Sequence, residues 1–226
     1  MFNKTNFPAG QNGEKIIGLG ETHHGQHDQV LKQLLSNVQD LNGIFWEQPI
    51  DYQSSIDHFL ETGELDEKLS GEINGARKEG KEITEGYNLI RDFALKNNWP
   101  VVCIDSSKAK IGDYKNESKF GRYFLRGNSR DEDMAEEVLR VFEEKEGNWV
   151  IIGGFQHLKY GKHFRTGETT LGSRLKEKLG EKFTNVCLLK VEGQDLAVYD
   201  TRNGIDPKLV EFGIENFKFD IYVVRG

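Results

Sequence analysis

Ile16-Ile17-Gly18-Leu19-Gly20-Glu21-Thr22-His23-His24-Gly25 is the stretch around which the chain is read. A short apolar run ends in a glycine-bounded cluster of one carboxylate and two imidazoles. Val30, Leu31, Leu34, Leu35 and Val38 follow at helical spacing, which predicts a helix over Gln26–Asp40. Strand, ligand-rich turn and helix in that order bring reactive groups to the carboxyl end of a parallel sheet, where open α/β folds bind ligands.

The same unit recurs along the chain. Gly43–Pro49 is an apolar run carrying Glu47, and a helix is expected over Gln53–Leu60. Ile83, Tyr87, Ile90 and Ala94 form a helical stripe that leads into a strand over Pro100–Ile104, closed by Asp105. Ser129-Arg130-Asp131-Glu132 has the Ser-x-x-Glu form of a capping box, which puts a helix start there, and Met134, Val138, Val141 and Phe142 give that helix a buried stripe. Arg130 and Asp131 then lie one turn before buried positions, an expensive place for charges that are not paired. Trp149–Ile152 runs into Gly153-Gly154-Phe155-Gln156-His157. A helix over Thr170–Leu179 and strands over Asn185–Val191, Leu196–Tyr199 and Ile221–Val224 complete the chain.

Strands alternating with helices predict an α/β fold: a mainly parallel central sheet with helices on both faces. The close spacing of the last strands predicts a partly antiparallel C-terminal end. At 226 residues the chain fits one domain over 1–226. Two lid segments are expected, 61–86, which is charged and rich in glycine, and 106–128. From Lys108 to Arg130 no periodicity is evident, and seven basic residues (Lys108, Lys110, Lys115, Lys119, Arg122, Arg126, Arg130) are interleaved with Tyr114, Phe120, Tyr123 and Phe124.

A formal charge of −7 argues against a nucleic-acid partner. No run reaches the ~18 apolar residues of a membrane span, and the first dozen residues lack the apolar core of a signal peptide, so a cytoplasmic location is expected. Cys103 and Cys187 sit in apolar strand-like runs and read as buried free thiols. Neither a dinucleotide fingerprint, a P-loop nor a Gly-x-Ser-x-Gly elbow is present.

Four expected strand ends carry polar groups: Glu21 with His23 and His24, then Glu47, Asp105 and His157. In a parallel sheet these converge on one edge. An imidazole titrating near ~6.5 with a carboxylate beside it suits proton transfer at neutral pH. The same set, Glu21, His24, Glu47 and His157, equally suits a divalent metal. His58 and His163 read as surface or structural residues.

Gly20-Glu21-Thr22-His23-His24-Gly25 resembles the Gly-Glu-x-x-His-Gly turn of the erythromycin esterase family. Glu47 after its apolar strand is similar to that family's second carboxylate. Arg130-Asp131-Glu132-Asp133-Met134-Ala135-Glu136 resembles its Arg-Asp-x-x-Met-Ala-Glu segment, and Leu171-Gly172-Ser173-Arg174-Leu175 its late helix. The wider group includes the haem-binding ChaN lipoproteins and the TraB/Tiki proteins. The resemblance implies a hydrolase that activates water to cleave an ester or amide in a small molecule or peptide. It implies His24 as the general base, Glu21 and Glu47 as its tuning carboxylates, and Arg130 and His157 as contacts to substrate or developing charge, with Asp131, His23 and Asp105 beside them. Gly154-Phe155-Gln156-His157 stands where the esterases carry His-Asn-x-His. An imidazole and an amide are absent from those places, which argues against a macrolide substrate. The other expectation is a ChaN-type binder of haem or another anionic planar ligand, for which the basic, aromatic Lys108–Arg130 stretch is suited.

Overall fold

The computed structural model describes residues 15–21, 31–32, 35–36, 40–78, 84–106, 119–145, 147–163, 167–190, 197–202, 204, 207 and 218–225. The strands are β1 (Ile16–Glu21), β2 (Leu41–Pro49), β3 (Val101–Asp105), β4 (Asn148–Gly154), β5 (Phe183–Lys190), β6 (Ala197–Asp200) and β7 (Ile221–Arg225). The helices are α1 (Gln53–Thr62), α2 (Glu67–Lys78), α3 (Thr84–Asn97), α4 (Lys119–Glu144), the single turn α5 (Phe155–Leu158) and α6 (Leu171–Leu179). Of the helix expected over 26–40, the described residues Leu31, Lys32, Leu35 and Ser36 are helical, and both leucines are buried.

The strands form one sheet in the order β3-β2-β4-β1-β5-β7-β6. Every pairing is parallel except β6 with β7. The α/β expectation and its antiparallel C-terminal end are both observed.

Period-two alternation explains why the sheet is covered twice. Ile17, Leu19, Ile44, Trp46, Val150 and Ile152 face one apolar cluster with Tyr52, Ile56 and Phe59 at α1, Leu69 of α2, and Tyr87 and Ile90 of α3. Ile16, Phe45, Trp149 and Ile151 face the other, with Met134, Val138 and Val141 of α4 and Leu171 and Leu175 of α6. Consecutive strand residues therefore serve opposite layers.

At the outer edge of the sheet, β3 is met by a side chain. The Gln53 amide donates to Val101 O at 2.8 Å and accepts from Cys103 N at 2.7 Å. Cys103 and Cys187 are free and buried as expected, and burial pushes the Cys103 thiol up to about 12.

One helix boundary differs from the sequence reading. The capping-box pattern at Ser129–Glu132 does not begin a helix, because α4 starts at Lys119 and passes through it. Residues 119–128, expected within a loop, are its first turns. No proline lies between Lys119 and Glu144 to stop the helix, and Ser-x-x-Glu marks a start only where the preceding backbone leaves helical geometry. Arg130 and Asp131 accordingly stand mid-helix, where no free backbone N–H groups are available to them, and their partners must come from other elements.

Candidate active site

At the carboxyl ends of the four adjacent strands β3, β2, β4 and β1 stand Asp105, Glu47 just before the end of β2, the α5 turn bearing His157, and Glu21. Because these pairings are all parallel, the ends share one edge. The β2–β3 register shifts between Trp46 and Pro49, which loosens the ladder at Glu47. The Glu47 carboxylate is drawn to β4, where Oε2 accepts from Gly154 N at 2.5 Å. A Cβ on Gly153 would stand 2.8 Å from that same oxygen, so the carboxylate fits only because residue 153 has no side chain. Glu21 pairs with Gly154 in the β1–β4 register, next to the amide that Glu47 uses.

Arg130 reaches from α4 into this edge. Its Nε and Nη2 donate to Asp105 Oδ1 and Oδ2 at 2.6 and 2.7 Å, and Nη2 also donates to Glu47 Oε1 at 2.7 Å. Asp105 Oδ1 additionally accepts from Ser106 N at 2.8 Å, while Ser106 Oγ donates to Asp133 Oδ2 at 2.6 Å. Arg130 Nη1 is turned to His157 Nε2 at 3.3 Å. The side chains of Asp105 and Glu47 are nearly inaccessible, whereas that of Arg130 is 30% exposed, so the guanidinium covers the two carboxylates from the open side.

His157 is the other centre. Its Nδ1 lies 2.5 Å from Asp131 Oδ1, and Nε2 lies 3.6 Å from Glu47 Oε1. When neutral, the ring places its proton on Nδ1 toward Asp131, because Nε2 faces the donor-only guanidinium. Burial pulls its pKa down, but Glu47 and the Asp131 hydrogen bond outweigh burial and Arg130 repulsion, so the imidazolium is favoured more than usual. For Arg130, burial also opposes charge and is outweighed by Glu47 and Asp105.

Six expected residues are brought to this edge: Glu21, Glu47, Asp105, Arg130, Asp131 and His157. His23 and His24 lie outside the described residues. Three other residues joined the site without a signal in the sequence. Lys159 is buried, its pKa lowered by burial against the pull of Asp131. His163, read as surface or structural, holds its ring centroid 5.5 Å from that of His157. Gln156, next to His157 in sequence, has a buried Oε1 with no hydrogen-bond partner among the described residues.

Among the described residues, no group of three or more His, Cys, Asp and Glu side chains is arranged to hold a metal ion. The Arg130 guanidinium occupies the place between Asp105 and Glu47. Of the candidate metal ligands Glu21, His24, Glu47 and His157, His24 lies outside the described residues. No described helix is long and apolar enough to cross a membrane.

No family model matches the chain, and no curated protein matches it in sequence. Among solved structures it is similar to a succinoglycan biosynthesis protein, with a TM-score of 0.64 at 11% identity over 94% of this chain and 87% of that one. A Bacillus cereus protein superposes with a TM-score of 0.63 at 12% identity, over 95% and 88% of the two chains. A mutant of the erythromycin esterase EreC in its open conformation gives 0.61 at 10% identity, over 95% and 91%. At such identities the likeness is one of fold, and the resemblance to the esterases holds at that level.

Proposed function

We propose that the chain is a hydrolase that adds water to an ester or amide at the carboxyl edge of its sheet. The observation that supports this most is the pairing of His157 with Asp131 beside Arg130 and Glu47. Acyl hydrolysis needs a base for the proton of water, donors for the charge that develops on the carbonyl oxygen, and a proton for the leaving group. Against burial, Glu47 and Asp131 raise the pKa of His157, and its protonated form presents Nε2–H as a donor. Arg130 spends Nε and Nη2 on carboxylates and turns Nη1 toward His157, so the two cations together suit an oxyanion.

The base belongs, in this reading, to His24, with Glu21 and Glu47 orienting it. Water gives its proton to His24 as its oxygen bonds the carbonyl carbon. The negative oxygen is met by Arg130 and His157, and the leaving alkoxide or amine takes the proton as its bond to carbon breaks. The substrate is a small molecule or a peptide and not a macrolide, because an imidazole and an amide of the esterase signature are absent beside His157.

A panel of aryl esters, arylamides and short peptides tests the proposal. Turnover by the native chain, reduced ~100- to 10,000-fold in folded His24→Asn, is the expected result. Equal turnover in both, or none by the native chain on any of them, overturns it. The other reading, a binder of haem or an anionic planar ligand, draws on Lys108–Arg130, of which residues 108–118 lie outside the described part. A Soret shift on titration with haemin, without hydrolysis, favours it.

A further inference from the structure

The segment that follows His157 is held at every residue. Asn185 Nδ2 donates to Leu158 O at 2.8 Å, and the fully buried Thr170 donates its hydroxyl to Lys159 O at 2.6 Å. Tyr160 N donates to Lys218 O, and the Tyr160 hydroxyl to Asp220. Gly161 N donates to Ser173 Oγ at 2.6 Å, while Gly161 O accepts from Thr170 N at 3.2 Å. Gly172 admits this packing, since a Cβ there would meet Leu158 O at 2.0 Å. Only a residue without a side chain lets the first turn of α6 press on that backbone.

His163 closes the segment. Its N–H donates to Glu168 O at 2.6 Å, its carbonyl accepts from Gly167 N at 2.9 Å, and Lys162 bridges Thr169. The backbone of His163 is thus fixed on both sides, and its ring is tilted 37° against that of His157. His157 already has Asp131 at Nδ1 and Arg130 and Glu47 at Nε2. Those contacts all lie at the edge of the ring, and its faces are left to packing.

We infer that His163 is a positioning residue for His157. Its ring packs beside the imidazole, tilted and 5.5 Å away between centroids, and supports the orientation in which Nδ1 meets Asp131 and Nε2 meets Arg130 and Glu47. Among the described residues, the charges felt by His163 include those of Asp131, Lys159 and Arg130 and, when it is protonated, of His157. Burial first, and His157 second, lower the pKa of His163, so its ring is neutral and does not repel the imidazole beside it. An uncharged aromatic face on a cation is an attractive arrangement. The role rests on the reading of His157 as a functional residue of the site. It requires of His163 a flat ring and not a proton.

That distinction makes the inference testable with His163→Phe, which keeps a ring, and His163→Ala, which does not. In nitrogen-labelled protein the Nδ1–H of His157, bonded to Asp131, is expected as one low-field proton resonance. It should persist in His163→Phe and broaden or vanish in His163→Ala, with the backbone amide spectrum otherwise unchanged. Where a substrate has been found, kcat is expected to fall about 10- to 100-fold in His163→Ala with KM little altered, and to stay within about 3-fold in His163→Phe. An unchanged His157 resonance in His163→Ala overturns the inference, as does loss of the resonance in a folded His163→Phe. The resonance needs no substrate. If it behaves as expected and nothing is hydrolysed, the hydrolase proposal fails alone.

Discussion

Arg130 and Asp105 meet edge to edge, two guanidinium nitrogens against two carboxylate oxygens, at 2.6 and 2.7 Å. This geometry is specific to arginine. With the added bond to Glu47, one cation serves two buried carboxylates from separate strands. Removing it takes the guanidinium from both carboxylates at once. Arg130→Met is expected to lower stability by roughly 3–5 kcal/mol, read as a shift in the urea midpoint. Arg130→Lys should recover only part of this, because one ammonium cannot repeat the two-point contact. An unfolding curve unchanged by Arg130→Met would show that the carboxylates find solvent instead.

The pKa of His157 makes a pH dependence with a defined sign. The folded value lies above the ordinary ~6.5, so its contribution to stability is complete below about pH 6.5 and is lost as pH rises through the folded value. Thermal unfolding followed from pH 6 to 9 should show the native chain losing more stability than His157→Gln across that window. Parallel curves would contradict the ion-pair description of His157.

Gly153→Ala places a methyl group 2.8 Å from Glu47 Oε2 as the structure stands. The carboxylate must move away from Gly154 N, and overpacking of this kind costs about 1–3 kcal/mol. Hydrolysis, where found, should fall together with the unfolding midpoint. Retention of both would mean that Glu47 has room to shift without losing its partners.

Gln156 offers a change in the opposite direction. Its Oε1 is buried without a partner among the described residues, and such an orphan ordinarily costs ~1–3 kcal/mol. Gln156→Met removes the orphaned acceptor at similar volume and is expected to raise the unfolding midpoint. A lowered midpoint would show that the oxygen is bonded in solution.

The fold was legible because its signals are repetitive. Each strand announced itself as an apolar run closed by a polar residue, and the run's period of two carried both layers of the core. Glu47, Asp105, Arg130, Asp131 and His157 were legible for a related reason: charges next to buried positions need partners, and parallel strand ends supply them. The start of α4 was not legible, because Ser129–Glu132 satisfies a local pattern that the preceding residues override. His163 gave no sign either. A histidine two residues after a glycine carries no period, and its place beside His157 follows from Thr170, Ser173 and Asn185, which act from other elements.

The contact of Gln53 with β3 has a consequence far from the catalytic edge. An uncovered outer strand is a template on which a strand of another molecule can grow, and growth of that kind ends in fibres or precipitate. Val101 O and Cys103 N are the groups such a newcomer would seek, and the Gln53 amide already satisfies both. One side chain thus imitates a neighbouring peptide unit and terminates the sheet on that side. Tolerance of crowding, and survival at high concentration, depend at this edge on an amide that takes no part in the chemistry.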